Sequence, residues 1–297
     1  MKRKILLSLF CLAIVVLVCG MSGGCGETTH ESSSYYSPNW MPDGRIICYK
    51  VTSRWSNALF GRKEQGDTSY ITAMSVKGTN EVNLFETSGS YREVVCSPTG
   101  EKIAVYLPNY SGGISIYDYN GNKSVILNTE YIDSADWSPD ASKLAYVSSR
   151  KLYVVNSDGT GNTQIATSAE AVAWRVGEKI VFIRLRGTDY SRVATVNSDG
   201  TSEEVFSLIG GDVQKSATQV FYRGRENLSL EPINAVRVAN LNGVDDALQI
   251  SNYQRSSLKL SFDNTKIVGG DLITGGGNFI GGIWVTNIND GTSTQIR

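Results

Sequence analysis

Apolar and polar positions alternate in short runs along most of this chain, and the runs are divided by turn residues. KIAVYL (102–107), SKLAYVSS (142–149), KLYVVN (151–156) and KIVFIRL (179–185) are typical. Alternation with period 2, rich in Val, Ile and Tyr, marks strands with at least one buried face. No stretch has the 3.6-residue spacing of a long amphipathic helix. Thirty glycines and fifteen tyrosines suit the same reading, since tight turns and pleated surfaces use them.

The punctuation is periodic. A strand running into a glycine turn recurs six times: SVKGTNE at Gly78, DYNGNKS at Gly121, NSDGTGN at Gly159, NSDGTSE at Gly200, NLNGVDD at Gly243 and NINDGTS at Gly291. The intervals are 43, 38, 41, 43 and 48 residues. A second landmark interleaves with it. Asn39-Trp40-Met41-Pro42-Asp43-Gly44 precedes RIICYKV, Cys96-Ser97-Pro98-Thr99-Gly100 precedes EKIAVYL, and Asp136-Trp137-Ser138-Pro139-Asp140-Ala141 precedes SKLAYVSS. The fourth copy keeps Ala173-Trp174 without the proline, and copies five and six are looser. Proline presets the first turn position, and Asp and Gly complete the turn. Each unit thus reads as strand, Pro-Asp turn, strand, variable loop, strand, Asp-Gly turn, strand. A four-stranded sheet with two apolar faces cannot bury both alone, so six such sheets shield one another around an axis. The expected fold is all-β: a six-bladed β-propeller of four-stranded antiparallel blades over residues 36–297. The tryptophans are expected between blades. The last blade is expected to form from one continuous segment, so that the ring shuts without strand exchange.

The repeat resembles the WD-like propeller repeat of the TolB type, close to WSPDG, an apolar strand, a loop, then a strand ending in DADGT. Residues 135–165 match it nearly throughout, and the resemblance covers about 36–297. It implies a binding propeller, since TolB-type propellers dock envelope lipoproteins at the mouth of their channel. TolB carries an N-terminal α/β domain for which this chain is expected to have no room.

Lys2, Arg3 and Lys4 followed by apolar Ile5–Val18 read as an export signal over residues 1–24. Ser22-Gly23-Gly24-Cys25 resembles a bacterial lipobox, with Ser22 where an aliphatic residue is preferred. The resemblance implies a lipid anchor on Cys25, with a flexible tether over 25–35; a cleaved secretory signal and an uncleaved anchor stay open. Gly26 in place of aspartate favours the outer membrane, on its periplasmic face, in a Gram-negative cell. Without the signal, 25 basic residues face 29 acidic ones, which argues against nucleic acid as partner. Cys48 and Cys96 lie in apolar strand patterns, as buried thiols or as a disulfide.

His30 is the sole histidine, read as a solvated tether residue. One histidine excludes histidine triads and multi-histidine metal centres. Calcium on inward carboxylates would be the remaining enzymatic route, but the positions before the blade tryptophan are Asn39, Val95, Asp136 and Ala173, no ring of hard ligands. No cofactor or metal is expected. Propellers carry function on the loops at one end. The candidate binding face there comprises Arg54, Trp55 and Phe60 in the longest loop (52–69), Tyr110, Arg184, Arg186, Arg223, Arg225 and Phe279, residue types that anchor interfaces. The sequence is therefore read as a monomeric cell-envelope lipoprotein with a non-enzymatic, protein-binding propeller. The alternatives are a carbohydrate or small-ligand module and a calcium-dependent, lactonase-like hydrolase.

Overall fold

Every landmark turn closes a hairpin. The computed structural model describes residues 28–58, 61–87, 93–107, 113–127, 131–174, 176–186, 189–224, 235–251, 253, 258–270 and 282–297. No helix occurs among them. Blade 1 is β1 (Thr29–Trp40), β2 (Ile46–Ala58), β3 (Gly61–Met74) and β4 (Val82–Thr87). Blade 2 is β5 (Glu93–Cys96), β6 (Lys102–Tyr106), β7 (Ile114–Asp118) and β8 (Lys123–Leu127). Blade 3 is β9 (Ile132–Trp137), β10 (Lys143–Ser148), β11 (Lys151–Asn156) and β12 (Thr163–Thr167). Blade 4 follows with β13 (Ala169–Ala173), β14 (Ile180–Arg186), β15 (Asp189–Val196) and β16 (Glu204–Ile209). Blade 5 is β17 (Val213–Lys215), β18 (Gln219–Gly224), β19 (Ala235–Asn240) and β20 (Ala247–Ile250). Blade 6 is β21 (Lys259–Leu260), β22 (Lys266–Gly270), β23 (Ile283–Asn287) and β24 (Ser293–Gln295).

Pairing in each blade is antiparallel and in sequence order, so each blade is one continuous segment. The core lies between the sheets, in six clusters, one at each junction of neighbouring blades. Period-2 alternation is what produces this. Along β10, Leu144 and Tyr146 enter the cluster shared with blade 2, while Ala145 and Val147 enter the one shared with blade 4. The tryptophans fill these junctions: Trp40 packs toward blade 6, Trp137 toward blade 2 and Trp174 toward blade 3. Each such burial contributes about 2–3 kcal/mol. Cys48 and Cys96 are buried thiols not joined in a disulfide, and burial pushes the Cys48 thiol pKa up.

The Asp-Gly-Thr turns hold themselves. In blade 3, Asp158 Oδ1 accepts from the Thr160 backbone N–H (2.9 Å) and hydroxyl (2.7 Å). Asp199 with Thr201 and Asp290 with Thr292 repeat the arrangement. The same turns seat the neighbouring blade, because the turn glycine faces the outermost strand of the blade before it: Gly121 lies on Phe85, Gly200 on Ile165, Gly243 on Phe206 and Gly78 on Ile296.

The last of these contacts closes the ring. The seam between blades 6 and 1 is further tied by Glu81, whose carboxylate accepts from Lys50 Nζ (2.6 Å), Tyr35 Oη (2.8 Å) and Arg297 Nη2 (2.9 Å). Burial and the Glu81 contact push the Tyr35 pKa up to about 12.

Two compact units result. Ser34–Val51 with Thr68–Arg297 forms the ring, and the described residues before Ser34, with those of Thr52–Asp67, belong to the other. The second unit corrects two expectations. Residues from Thr29 onward, read as tether, are strand, and the 52–69 segment, read as a loop, continues β2 and β3. These strands were hidden because polar residues occupy both their faces, leaving no apolar alternation. Cross-strand pairs join them instead: Arg54 Nε to Glu31 Oε2 (3.0 Å) and the hydroxyls of Ser33 and Thr52 (3.1 Å).

Candidate functional site

The inner strands carry polar side chains in an alternating pattern. In blades 1, 3 and 5 one residue reaches forward to the next blade. Asn39 Nδ2 donates to Val94 O (3.1 Å), Asp136 Oδ2 accepts from Trp174 N (2.8 Å), and Gln214 Oε1 accepts from Leu260 N (3.5 Å). The following residue reaches back. Trp40 Nε1 donates to Lys259 O (2.9 Å), Trp137 Nε1 to Val95 O (3.0 Å) and Lys215 Nζ to Lys179 O (2.8 Å). Blades 2, 4 and 6 hold Val95-Cys96, Ala173-Trp174 and Lys259-Leu260 at these positions. Asp136, considered above as a channel ligand, is therefore an inter-blade strut, 3% exposed.

Lys215 occupies a tryptophan position with an ammonium, 2% exposed. Burial lowers its pKa to about 8, against the opposing pull of Asp136. The unfolded chain keeps this proton to near pH 10.4, so between about pH 8 and 10 the unfolded state binds more protons and stability rises with pH. The expected difference between wild type and Lys215→Met is a gain of about 2–3 kcal/mol on going from pH 7 to 10, present only in wild type. Denaturant unfolding at both pH values measures it.

A second polar group lies at the end of the ring where the inner strands begin. Asp133 and Glu170 lie there on β9 and β13, each reaching solvent with part of its surface, and Asp212 precedes β17. Partial burial raises the Asp133 pKa. Glu170 is raised by partial burial first and then by the charges of Asp133 and Asp212, with Arg150 opposing. The second strands finish at the same end, bringing Arg184 and Arg223 there. Arg184 pairs with Ala169 across the sheet and forms an ion pair with Glu203. The Arg223 backbone N–H donates to Asp212 O (3.0 Å), and its Nε is buried with no hydrogen-bond partner among the described residues.

Arg54 and Trp55 lie in the other compact unit. Trp55 on β2 stacks on His30 of β1, with ring centroids 5.8 Å apart and planes at 18°. The Arg62 guanidinium of β3 sits 4.0 Å from the centre of the Trp55 ring. Asn57 Nδ2 is hydrogen bonded to His30 Nε2 (3.0 Å), and Arg62 pairs with Glu64 (2.7 Å). His30 is exposed yet engaged, unlike the solvated tether residue expected. Arg186 lies in β14; Cys25, Phe60, Tyr110, Arg225 and Phe279 lie outside the described residues. Sequence reasoning missed Asp133, Glu170, Arg62 and Lys215; Lys215 holds the tryptophan position of blade 5, but the turn after it has lost the proline and aspartate that would mark it.

Between blades 3 and 4, at the opposite end, a cleft of about 590 Å³ is lined by Ser138, Asp140, Trp174, Glu178, Asn197 and Asp199, among others. Asp140 accepts from the hydroxyls of Ser138 (2.7 Å) and Ser142 (2.9 Å), which, with a Ser142 backbone N–H bond, hold its pKa down at about 2. Among the described residues, no three His, Cys, Asp or Glu side chains converge as a metal site.

No protein-family model and no curated protein matches the chain. Solved structures do. A puromycin-hydrolysing peptidase from Mycobacterium tuberculosis aligns at 13% identity and TM-score 0.52, over 90% of this chain and 53% of that one. The propeller domain of the Trilobed protease from Pyrococcus furiosus aligns at 12% and 0.50, over 89% and 95%. TolB from Acinetobacter baumannii aligns at 13% and 0.48, over 83% and 68%. At such identities the likeness concerns fold alone, and these neighbours include enzymes. This chain is a six-bladed β-propeller, and TolB and WD40 propellers are among its structural neighbours.

Proposed function

We propose that the chain is a cell-envelope lipoprotein, tethered through Cys25, whose propeller is a non-enzymatic protein-interaction module. The observation that carries this reading is the division of polar groups on the inner strands. Asn39, Asp136, Gln214 and Lys215 are committed to bonds between blades, whereas Asp133 and Glu170 stand at the ring end with raised pKa values. Carboxyls crowded together at an accessible end of the ring are candidates for a binding site. The partner that suits this end presents cationic side chains. The TolB-type repeat supports the same reading.

Glu170→Gln separates stability from binding. A carboxyl whose folded pKa is raised makes the fold lose stability as pH climbs from the ordinary carboxylate value near 4.3 through the raised one. The glutamine variant lacks that loss, so at pH 7 it unfolds at a higher temperature than wild type. Its recovery of partner in cross-linked capture from intact membranes falls. A variant that is both stabilised and undiminished in capture would remove the acidic end from the interface.

A second reading, a small-ligand or carbohydrate module, is favoured by the cleft between blades 3 and 4, where the Trp174 indole adjoins Asn197 and Asp199. Binding to a glycan panel, lost in Asn197→Ala, distinguishes it.

A further inference from the structure

The strand pairing of the smaller unit has a consequence for the membrane. As β1 runs forward, its partners step backward along β2: Glu31 meets Arg54, and Ser33 meets Thr52. The start of β1, with His30 against Trp55 and Asn57, therefore lies at the end of β2, beside Arg62 near the start of β3. Thr29 is four residues after Cys25. Four residues reach at most about 14 Å, while the headgroup layer on each side of a bilayer is roughly 5–8 Å thick. An acyl chain on Cys25 thus holds this end of the hairpin within reach of the headgroups.

The side chains gathered there are of the interfacial kind. A tryptophan flanked by a guanidinium and an imidazole combines an apolar body with polar edges, the chemistry that settles at headgroup depth. On this face Arg62 is matched by Glu64. Such a pair can exchange partners with the phosphate and ammonium of a phospholipid without leaving a charge unmatched.

We infer that the hairpin face bearing His30, Trp55 and Arg62 rests on the phospholipid headgroups of the bilayer that holds the Cys25 anchor. This rests on the lipoprotein reading, and the test keeps the two apart. Full-length chain purified from membranes is reconstituted into phosphatidylethanolamine–phosphatidylglycerol vesicles, with or without acyl chains brominated near the glycerol. Trp40, Trp137 and Trp174 are buried and Trp284 is half-buried, and subtracting the Trp55→Phe chain isolates Trp55 from all four. The expected result is quenching of wild-type emission by brominated lipid that Trp55→Phe lacks, reduced in Arg62→Ala. Equal quenching in wild type and Trp55→Phe overturns the inference. Palmitate labelling, lost in Cys25→Ala, reports on the anchor alone. A labelled chain with unquenched Trp55 overturns the hairpin contact and leaves the anchor standing; an unlabelled chain with quenched Trp55 upholds the contact and overturns the Cys25 anchor.

Discussion

Asp136→Ala is expected to cost about 3–5 kcal/mol of stability, measured by denaturant unfolding with unchanged m-value. Two effects add. The carboxylate accepts from Trp137 N (3.1 Å) and Trp174 N (2.8 Å), both buried, and alanine leaves two donors without an acceptor in a site that admits little water. The carboxylate also favours the charged form of Lys215, whose ammonium becomes harder to keep buried once Asp136 is gone. Asp136→Asn keeps an acceptor but removes the charge, so it should lose less. In the Lys215→Met background the cost of Asp136→Ala should shrink, because no buried cation remains to be orphaned. Equal costs in both backgrounds would show that Asp136 acts through its hydrogen bonds alone.

The architecture was legible because it is written redundantly. Six glycine turns and three Pro-containing turns fix where the chain reverses, and the alternation along strands such as β10 fixes that both faces are buried. What stayed hidden has physical reasons. Thr29–Ser33 and Thr52–Asp67 pair through charges and hydroxyls, so they show no period-2 apolar signal although they are strands. The acidic ring end depends on Asp133, Glu170 and Asp212 coming together from three blades, a convergence no single repeat reveals. Lys215 replaces a tryptophan where the Pro-Asp turn has decayed to Ser216-Ala217-Thr218, so the landmark that would have aligned it was missing. Blades 1, 3 and 5 alternate with 2, 4 and 6, a rhythm of two repeats that a consensus over single repeats averages away. Of the candidate site, Arg54 and Trp55 were found as residue types, but not the strands that hold them or the neighbours, His30 and Arg62, that give Trp55 its setting.

Closing a ring without exchanging a strand concentrates the burden on the seam, and Gly78→Ala tests how that seam holds. No strand of blade 1 enters the sheet of blade 6, so the two meet through side-chain packing, the Trp40 bond to Lys259 O, the Glu81 cluster and the approach of Gly78 to Ile296. Gly78 has φ +70°, and a Cβ there would fall 2.2 Å from the Ile296 carbonyl oxygen. That oxygen cannot simply rotate away, because the Ile296 N–H is bonded to Ile283 O (2.9 Å) and the terminal strand would have to shift as a unit. Gly44 supplies the control: its φ is +83°, but nothing lies within 4 Å of the place its Cβ would take. Gly44→Ala should cost only the left-handed backbone penalty of about 1 kcal/mol. Gly78→Ala should cost about 3 kcal/mol, the same penalty plus that of overpacking. It should also raise hydrogen exchange first in Ile283–Asn287 and the C-terminal residues, since the terminal strand is what the methyl displaces. Equal losses in the two variants would mean that the seam has slack, and that blades 6 and 1 are held by their apolar cluster and Glu81 rather than by close backbone contact.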